Sequence, residues 1–361
     1  MNGKGGWQLN QEFFIQWHLT EKCNLACLHC YQGDGNYPEL PGQQVIRYLS
    51  EAKSTLEEWT AEYGLNFQPA LHLTGGEPLL FNGLWDVLDS SVGLGFRVTV
   101  LSNGTLIDDA IARRFAEKGV KSVQISLEGM EETHNHLRGK DSFARAIAGA
   151  GNLMKNGVDV TFNVTLSRLN VEQVGEIVSF SRNLGIPRVG FSRLVPSGRG
   201  QALSKEALAI NQLRNVYRKI ESLNGNGVAL IINDPLKCLL NDQKDTLIPG
   251  DVPLGGCSAG VNGITVLPDG TVMPCRRMNV PIGNLVESSF RKIWVDSPVL
   301  DDLRNRNSYS GRCRQCKYWS SCRGCRAIAG AISGDEKNYL ADDPHCWLNL
   351  MENQPQAPRM G

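Results

Sequence analysis

Between residues 13 and 194, short runs of β-branched or apolar residues alternate six times with longer stretches that carry apolar residues at helical spacing. The runs Phe13 to Thr20, Ala70 to Leu73, Arg97 to Leu101, Ser122 to Leu127, Asp159 to Leu166 and Arg188 to Leu194 read as strands. Gln43 to Tyr63, Ile107 to Lys118, Phe143 to Asn156 and Val171 to Leu184 read as helices, and Gly119, Gly157 and Gly185 stand where a residue just past a helix end belongs. Strand-then-helix repetition makes the strands parallel and the crossovers right-handed. An open doubly wound sheet and a partial barrel both satisfy that rule.

After about residue 200 the rhythm changes. Lys205 to Leu223 is helical in pattern, and Val228 to Ile232 is one more strand-like run after Asn224-Gly-Asn-Gly. Beyond Asp234 the chain is rich in Gly, Pro, Asp and Cys and has too few apolar residues to build a core of its own, so metal cross-links are the natural substitute. Two units are expected, 1–235 and 236–361.

Lys plus Arg and Asp plus Glu each number 37, so the net charge is zero and a surface that tracks nucleic acid is not expected. No apolar run approaches the roughly 18 residues that cross a bilayer, and Met1 to Phe14 lacks the apolar centre of a secretory signal. A cytoplasmic protein without a membrane partner is expected.

Cysteine is the outlying count. Of 11, three sit together at Cys23, Cys27 and Cys30, and the other eight, Cys238, Cys257, Cys275, Cys313, Cys316, Cys322, Cys325 and Cys346, fall in the last third. An odd number cannot all form disulfides, and cysteines used as small buried hydrophobes have no reason to recur two or three residues apart. Soft-metal ligation is the reading. Cys-x3-Cys-x2-Cys directly after the first strand places three thiols on a loop at the carboxyl end of a parallel sheet, where ligands bind. Three thiolates suit a [4Fe–4S] cluster with one iron left open; a structural zinc needs a fourth ligand, for which His29 is the local option.

At these residues the sequence resembles the radical S-adenosylmethionine (SAM) superfamily. Thr74-Gly75-Gly76-Glu77-Pro78 is similar to the family's segment that contacts the SAM amino group, and Gln124-Ile-Ser126-Leu-Glu128 to its ribose-contacting segment. Arg138 sits where related enzymes place an arginine against the SAM carboxylate, although Asn135 stands where relatives often have Asp. Asn163, Thr165, Arg193 and Leu194 are further candidate contacts. The resemblance implies a partial (β/α)6 barrel of the TIM type, with SAM chelated to the open iron of the cluster. One electron then cleaves SAM to methionine and a 5′-deoxyadenosyl radical, which abstracts hydrogen from the substrate.

The late cysteines, with Pro268-Asp-Gly270, Pro274-Cys275 and Ile282-Gly-Asn284, resemble the SPASM extension that follows many radical SAM barrels. Two residues separate Cys322 from Cys325 where SPASM domains commonly have three. The resemblance implies that Cys313, Cys316, Cys322 and Cys346 hold one auxiliary cluster, and Cys257, Cys275 and Cys325 the other. Cys238 is then its fourth ligand, or a free thiol beside an open cluster; zinc ribbons are the alternative for the remaining seven. In all, SAM and three [4Fe–4S] clusters are expected.

Members of this architecture mostly alter peptides or proteins, so maturation of a ribosomal peptide, by cross-linking or side-chain oxidation, is the first functional expectation. Maturation of a non-peptide cofactor such as a tetrapyrrole is the second, and a non-catalytic iron–sulfur or zinc protein the third. The expected partners are the substrate, an external one-electron donor of flavodoxin or ferredoxin type and, since Cys23 comes too early for a fused recognition domain, a separate peptide-recognition protein. No acid or base is assigned, but His72 alternates with Leu71 and Leu73 and is the residue most expected to face the site, ahead of His18 and Asp234.

Overall fold

The computed structural model describes residues 10–32, 37–225, 227–240, 250–333, 335 and 338–348; most of the stretch read for a signal and part of the 224–227 turn lie outside them. β1 (Asn10–His18) leads to α1 (Gly42–Tyr63), β2 (Asn66–Thr74) to α2 (Leu84–Gly93), and β3 (Arg97–Ser102) to α3 (Asp109–Glu117). β4 (Ser122–Ser126) leads to α4 (Glu131–Arg138) and α5 (Ser142–Lys155), and β5 (Asp159–Leu166) to α6 (Val174–Asn183). β6 (Arg188–Arg193) leads to α7 (Ile210–Leu223) and β7 (Ala229–Ile232). These seven strands lie in chain order and pair in parallel, giving the partial (β/α)6 barrel.

Each strand has two unlike faces. On β5, Val160, Phe162, Val164 and Leu166 are buried against the helices, while Asn163 and Thr165 between them face the other way and are half-buried. On β4, Val123 and Ile125 alternate in the same manner with Gln124 and Ser126. Parallel strands covered on both sides are normally apolar throughout. Polar residues on the concave face therefore mark it as the wall of a binding chamber, and the core lies outside it, between sheet and helices. Leu49, Leu88, Phe115, Leu153, Ile177 and Tyr217 supply the helix side of that core.

The sheet does not stop at the boundary expected near residue 235. β8 (Gly263–Val266) runs parallel to β1, pairing Phe14 with Gly263 through Trp17 with Val266, and β9 (Thr271–Met273) and β10 (Gly283–Asn284) follow antiparallel. At Gly263 the two strands meet closely: a Cβ there would fall 2.4 Å from the Phe14 ring. α8 (Phe290–Asp296), α9 (Pro298–Arg304) and α10 (Arg326–Ser333) complete the C-terminal cysteine-rich extension. Phe290 and Trp294 pack edge-on to Phe13, at 5.8 and 4.8 Å between ring centroids, and tilt against Trp59 of α1. Ile264, Val266, Leu285, Phe290 and Ile293 thereby join the barrel core, while Leu300, Leu303, Ala327 and Ile328 form a small second one.

Candidate active site

The backbone after β1 crosses the carboxyl ends of the strands, and β2 clamps it there. Leu19 N–H donates to the Thr74 carbonyl, Gly76 N–H to Thr20 and Glu77 N–H to Lys22, each at 2.8 Å. Two glycines make so close an approach possible. A Cβ on Gly75, whose φ is +147°, would lie 2.3 Å from the Thr20 oxygen, and one on Gly76 2.3 Å from that of Lys22. The Gly-Gly pair therefore sets the height of the loop that carries Cys23, Cys27 and Cys30.

All three thiols line one cavity at the strand ends, together with Gly75, Gly76, Ser126, Arg138, Asn163, Thr165 and Leu194. Glu77, Pro78 and Glu128 are not on its wall. The Glu77 carboxylate turns inward to accept from Ser102 Oγ and Asn103 N–H, both at 2.9 Å, tying β2 to the end of β3, and burial pushes its pKa up to about 7. Pro78 is buried and opens a 3-10 turn at Pro78–Leu80. Glu128 lies beyond the end of β4 and is fully buried, so it does not share the cavity face of Ser126. It accepts from Arg138 Nη2 at 2.6 Å and Thr165 N–H at 2.9 Å, and its oxygen is 3.1 Å from His29 Nε2. Burial raises the Glu128 carboxyl, but His29 and Arg138 outweigh it and hold the group well below the ordinary carboxylate range. What Glu128 presents to the cavity is a fixed cation: the Arg138 guanidinium, whose Nη1 lies 3.7 Å from Cys27 Sγ.

The donor chemistry fits clusters. Among the described residues no three His, Cys, Asp or Glu side chains converge closely enough to chelate a single ion; thiols spread around a cavity suit a cluster in which each sulfur meets a different iron. His29 Nε2, the local candidate for a zinc ligand, is occupied by Glu128 and Arg138. In the C-terminal extension Cys313, Cys316, Cys322 and Cys346 line one small pocket, and Cys238, Cys257, Cys275 and Cys325 line a chamber of about 630 Å3. Cys238 stands between the two sets, since its thiol also hydrogen-bonds with that of Cys322. Beside these sulfurs lie buried guanidinium nitrogens without a hydrogen-bond partner among the described residues: Arg323 Nε and Nη1, Arg326 Nη2 and Arg277 Nε. Orphaned buried donors are costly, and anionic thiolate-held clusters would satisfy them.

The two cavities meet. Leu101, Gln124, Asn163, Ser192, Arg276 and Arg277 line both, so the early thiols and the late ones open onto one continuous space. His72 and Asp234 line the chamber, and His18 lines a third cavity of about 310 Å3 next to it. Burial, and then the Arg276 charge, lower the pKa of His18 to about 3 and of His72 to about 4, so both are neutral at pH 7. Asp234 is engaged elsewhere: it pairs with Arg193, which also bonds Asp343 at 2.7 and 3.0 Å. Asp343 in turn accepts from Cys325 N–H at 2.8 Å. One arginine at the end of β6 thus ties the first cavity to the backbone of a late cysteine. Asn103, Arg199, Arg276 and Arg277 line these spaces and were not singled out in the sequence. The Arg276-Arg277 pair directly after Cys275 was the available signal, hidden by a net charge of zero.

A partial (β/α)6 barrel with three thiols grouped at its strand ends and a cysteine-rich extension on its edge defines an iron–sulfur enzyme. The sequence pattern of the Radical SAM superfamily matches residues 17–181, and that of SPASM, an iron–sulfur cluster-binding domain, matches 257–326. The AdoMet-dependent heme synthase of Methanosarcina barkeri (strain Fusaro / DSM 804) is 30% identical over 93% of this chain and 97% of its own. Mycofactocin maturase MftC of Mycobacterium ulcerans (strain Agy99) is 29% identical over 94% of this chain and 88% of its own. In fold, the chain is similar to Streptococcus suis SuiB bound to S-adenosylmethionine, with a TM-score of 0.73 at 19% identity, over 93% of this chain and 77% of that one. The chain belongs to the radical SAM superfamily, and is an enzyme that binds SAM and iron–sulfur clusters. Among the described residues no helix is long and apolar enough to cross a membrane.

Proposed function

We propose that this enzyme modifies a carboxylate-bearing tetrapyrrole held in the 630 Å3 chamber between the two groups of cysteines. When bound, SAM and the reduced cluster supply a 5′-deoxyadenosyl radical that takes a hydrogen atom from the substrate. Cys23, Cys27 and Cys30 hold the SAM-binding cluster. Arg138, braced by Glu128, presents its guanidinium to the SAM carboxylate. The Gly75 and Gly76 backbone borders the amino group, Ser126, Asn163 and Thr165 offer polar contacts to the ribose, and Leu194 adds apolar surface. Cys313, Cys316, Cys322 and Cys346 hold one auxiliary cluster, Cys238, Cys257, Cys275 and Cys325 the other, for three in all, and an external flavodoxin or ferredoxin supplies electrons.

The observation that carries this reading is that the two cavities share six lining residues, which supports a substrate in the chamber lying beside the proposed SAM contacts. Its size is that of a small-molecule site. Similarity to the M. barkeri heme synthase over nearly the whole of both chains supports a tetrapyrrole as occupant. A second reading, the peptide or protein modification that the sequence put first, is favoured by the similarity to mycofactocin maturase and would bring in a separate recognition protein.

Anaerobically reconstituted enzyme given dithionite and SAM tests both. Formation of 5′-deoxyadenosine coupled to a mass change in an iron-bearing coproporphyrin supports the first reading; coupling only to a peptide substrate supports the second. If no 5′-deoxyadenosine forms under any condition, radical catalysis itself is excluded.

A further inference from the structure

We propose that Arg276 is the residue that recognises a carboxylate of the substrate. This rests on the tetrapyrrole reading above and assigns the contact that selects its propionate-type side chains.

Arg276 stands at a junction. It lines the SAM-side cavity, the 630 Å3 chamber and the 310 Å3 cavity beside it. Its guanidinium lies over the Tyr31 ring, 5.2 Å from the centroid. A ring contact of this kind consumes none of the N–H donors, so the planar fork stays available to bond a carboxylate through two N–H groups.

The other arginines around this space already have partners, Arg199 among them through the Cys27 carbonyl at 3.4 Å; Lys237 also lines the chamber, but its ammonium lacks the planar fork. Arg138 is paired with Glu128, and Arg193 with Asp234 and Asp343. Arg277 donates to the Arg193 carbonyl at 3.3 Å and lies against Cys275 and Cys325, so its charge serves the sulfurs. Among the described residues Arg276 has no carboxylate partner. Its neighbours His18 and His72 are kept neutral by burial and by its own charge. A partly buried, unpaired arginine facing a chamber is unfavourable unless an anion enters, and a tetrapyrrole carries its carboxylates at its rim.

The test compares wild type with Arg276→Met, which keeps the length of the side chain, and Arg276→Lys, which keeps the charge without the planar fork. Each protein is reconstituted anaerobically, saturated with SAM, left unreduced and titrated with metal-free coproporphyrin III, followed by porphyrin fluorescence. Arg276→Met should weaken binding about tenfold or more and Arg276→Lys less. SAM affinity by equilibrium dialysis and iron per chain should stay at wild-type values. Coproporphyrin tetramethyl ester, the same ring without charges, should not distinguish wild type from Arg276→Met. Equal coproporphyrin binding by wild type and Arg276→Met overturns the assignment while leaving the tetrapyrrole reading intact. A matching fall in SAM affinity also overturns it, by giving Arg276 to the cofactor. Failure of wild type to bind coproporphyrin overturns the tetrapyrrole reading, and the assignment with it.

Discussion

The early cysteines and the late ones are positioned by different physics. Cys23, Cys27 and Cys30 ride on a loop that backbone hydrogen bonds hold against a finished sheet. Cys313, Cys316 and Cys322 sit on or beside short 3-10 turns, Cys313–Gln315 and Trp319–Ser321, and Cys346 joins them from later in the chain, with several arginine nitrogens nearby that have no hydrogen-bond partner among the described residues. Burial holds the Cys313, Cys325 and Cys346 thiols up at about 12, so they lose their protons only to a metal. The barrel holds its thiol loop with its own backbone; under the proposed ligation, iron completes the interior of the extension.

Cys27→Ala gives the largest effect and tests that contrast directly. SAM cleavage should disappear, and iron should fall from roughly 12 to about eight per chain as one four-iron cluster is lost. Retained cleavage would break the comparison by showing that the triplet is not the SAM site.

Arg193→Met probes the tie between the two regions. It leaves Asp234 and Asp343 buried without their cation and should lower stability by about 3–5 kcal/mol in denaturant melts. Burial would raise the Asp343 carboxyl, but Arg193 holds it well below the usual range. A depressed carboxylate contributes stability that is present above its unfolded pKa and lost as pH falls through the folded one. Wild type should therefore weaken below about pH 4, and this component should be absent in Arg193→Met. Identical acid profiles would remove the tie.

Arg291→Ala should have the smallest effect. Its contacts to Glu58 at 3.0 Å and Glu62 at 3.6 Å also join extension to barrel, but all three side chains are largely exposed. The loss should be under about 1 kcal/mol by thermal melting. A larger loss would mean that surface charge, and not the packing of Phe290 and Trp294 on Phe13, fastens the two parts.

The barrel strands were legible because their apolar alternation is local, and β5 coincides with the run read from sequence. The pairing of β8 with β1 was not, since Phe14 and Gly263 are far apart in the chain and neither stretch announces its partner. The site divides in the same way. Motif spacing located the thiols and the glycines, but Glu77 and Glu128 read as cofactor contacts while both carboxylates turn toward buried donors and away from the cavity wall. A side chain's direction depends on neighbours that the one-dimensional order does not name. The charge of Arg276 was hidden for a related reason: only the fold shows which arginines have partners.

The lateral seam between β8 and β1 limits how such chains can be recombined. A graft that replaces everything after residue 235 with another module must also bring a strand to zip against Phe14–Trp17. Otherwise that row of amides and carbonyls lies bare beside the cysteine loop, open to stitching one molecule to the next.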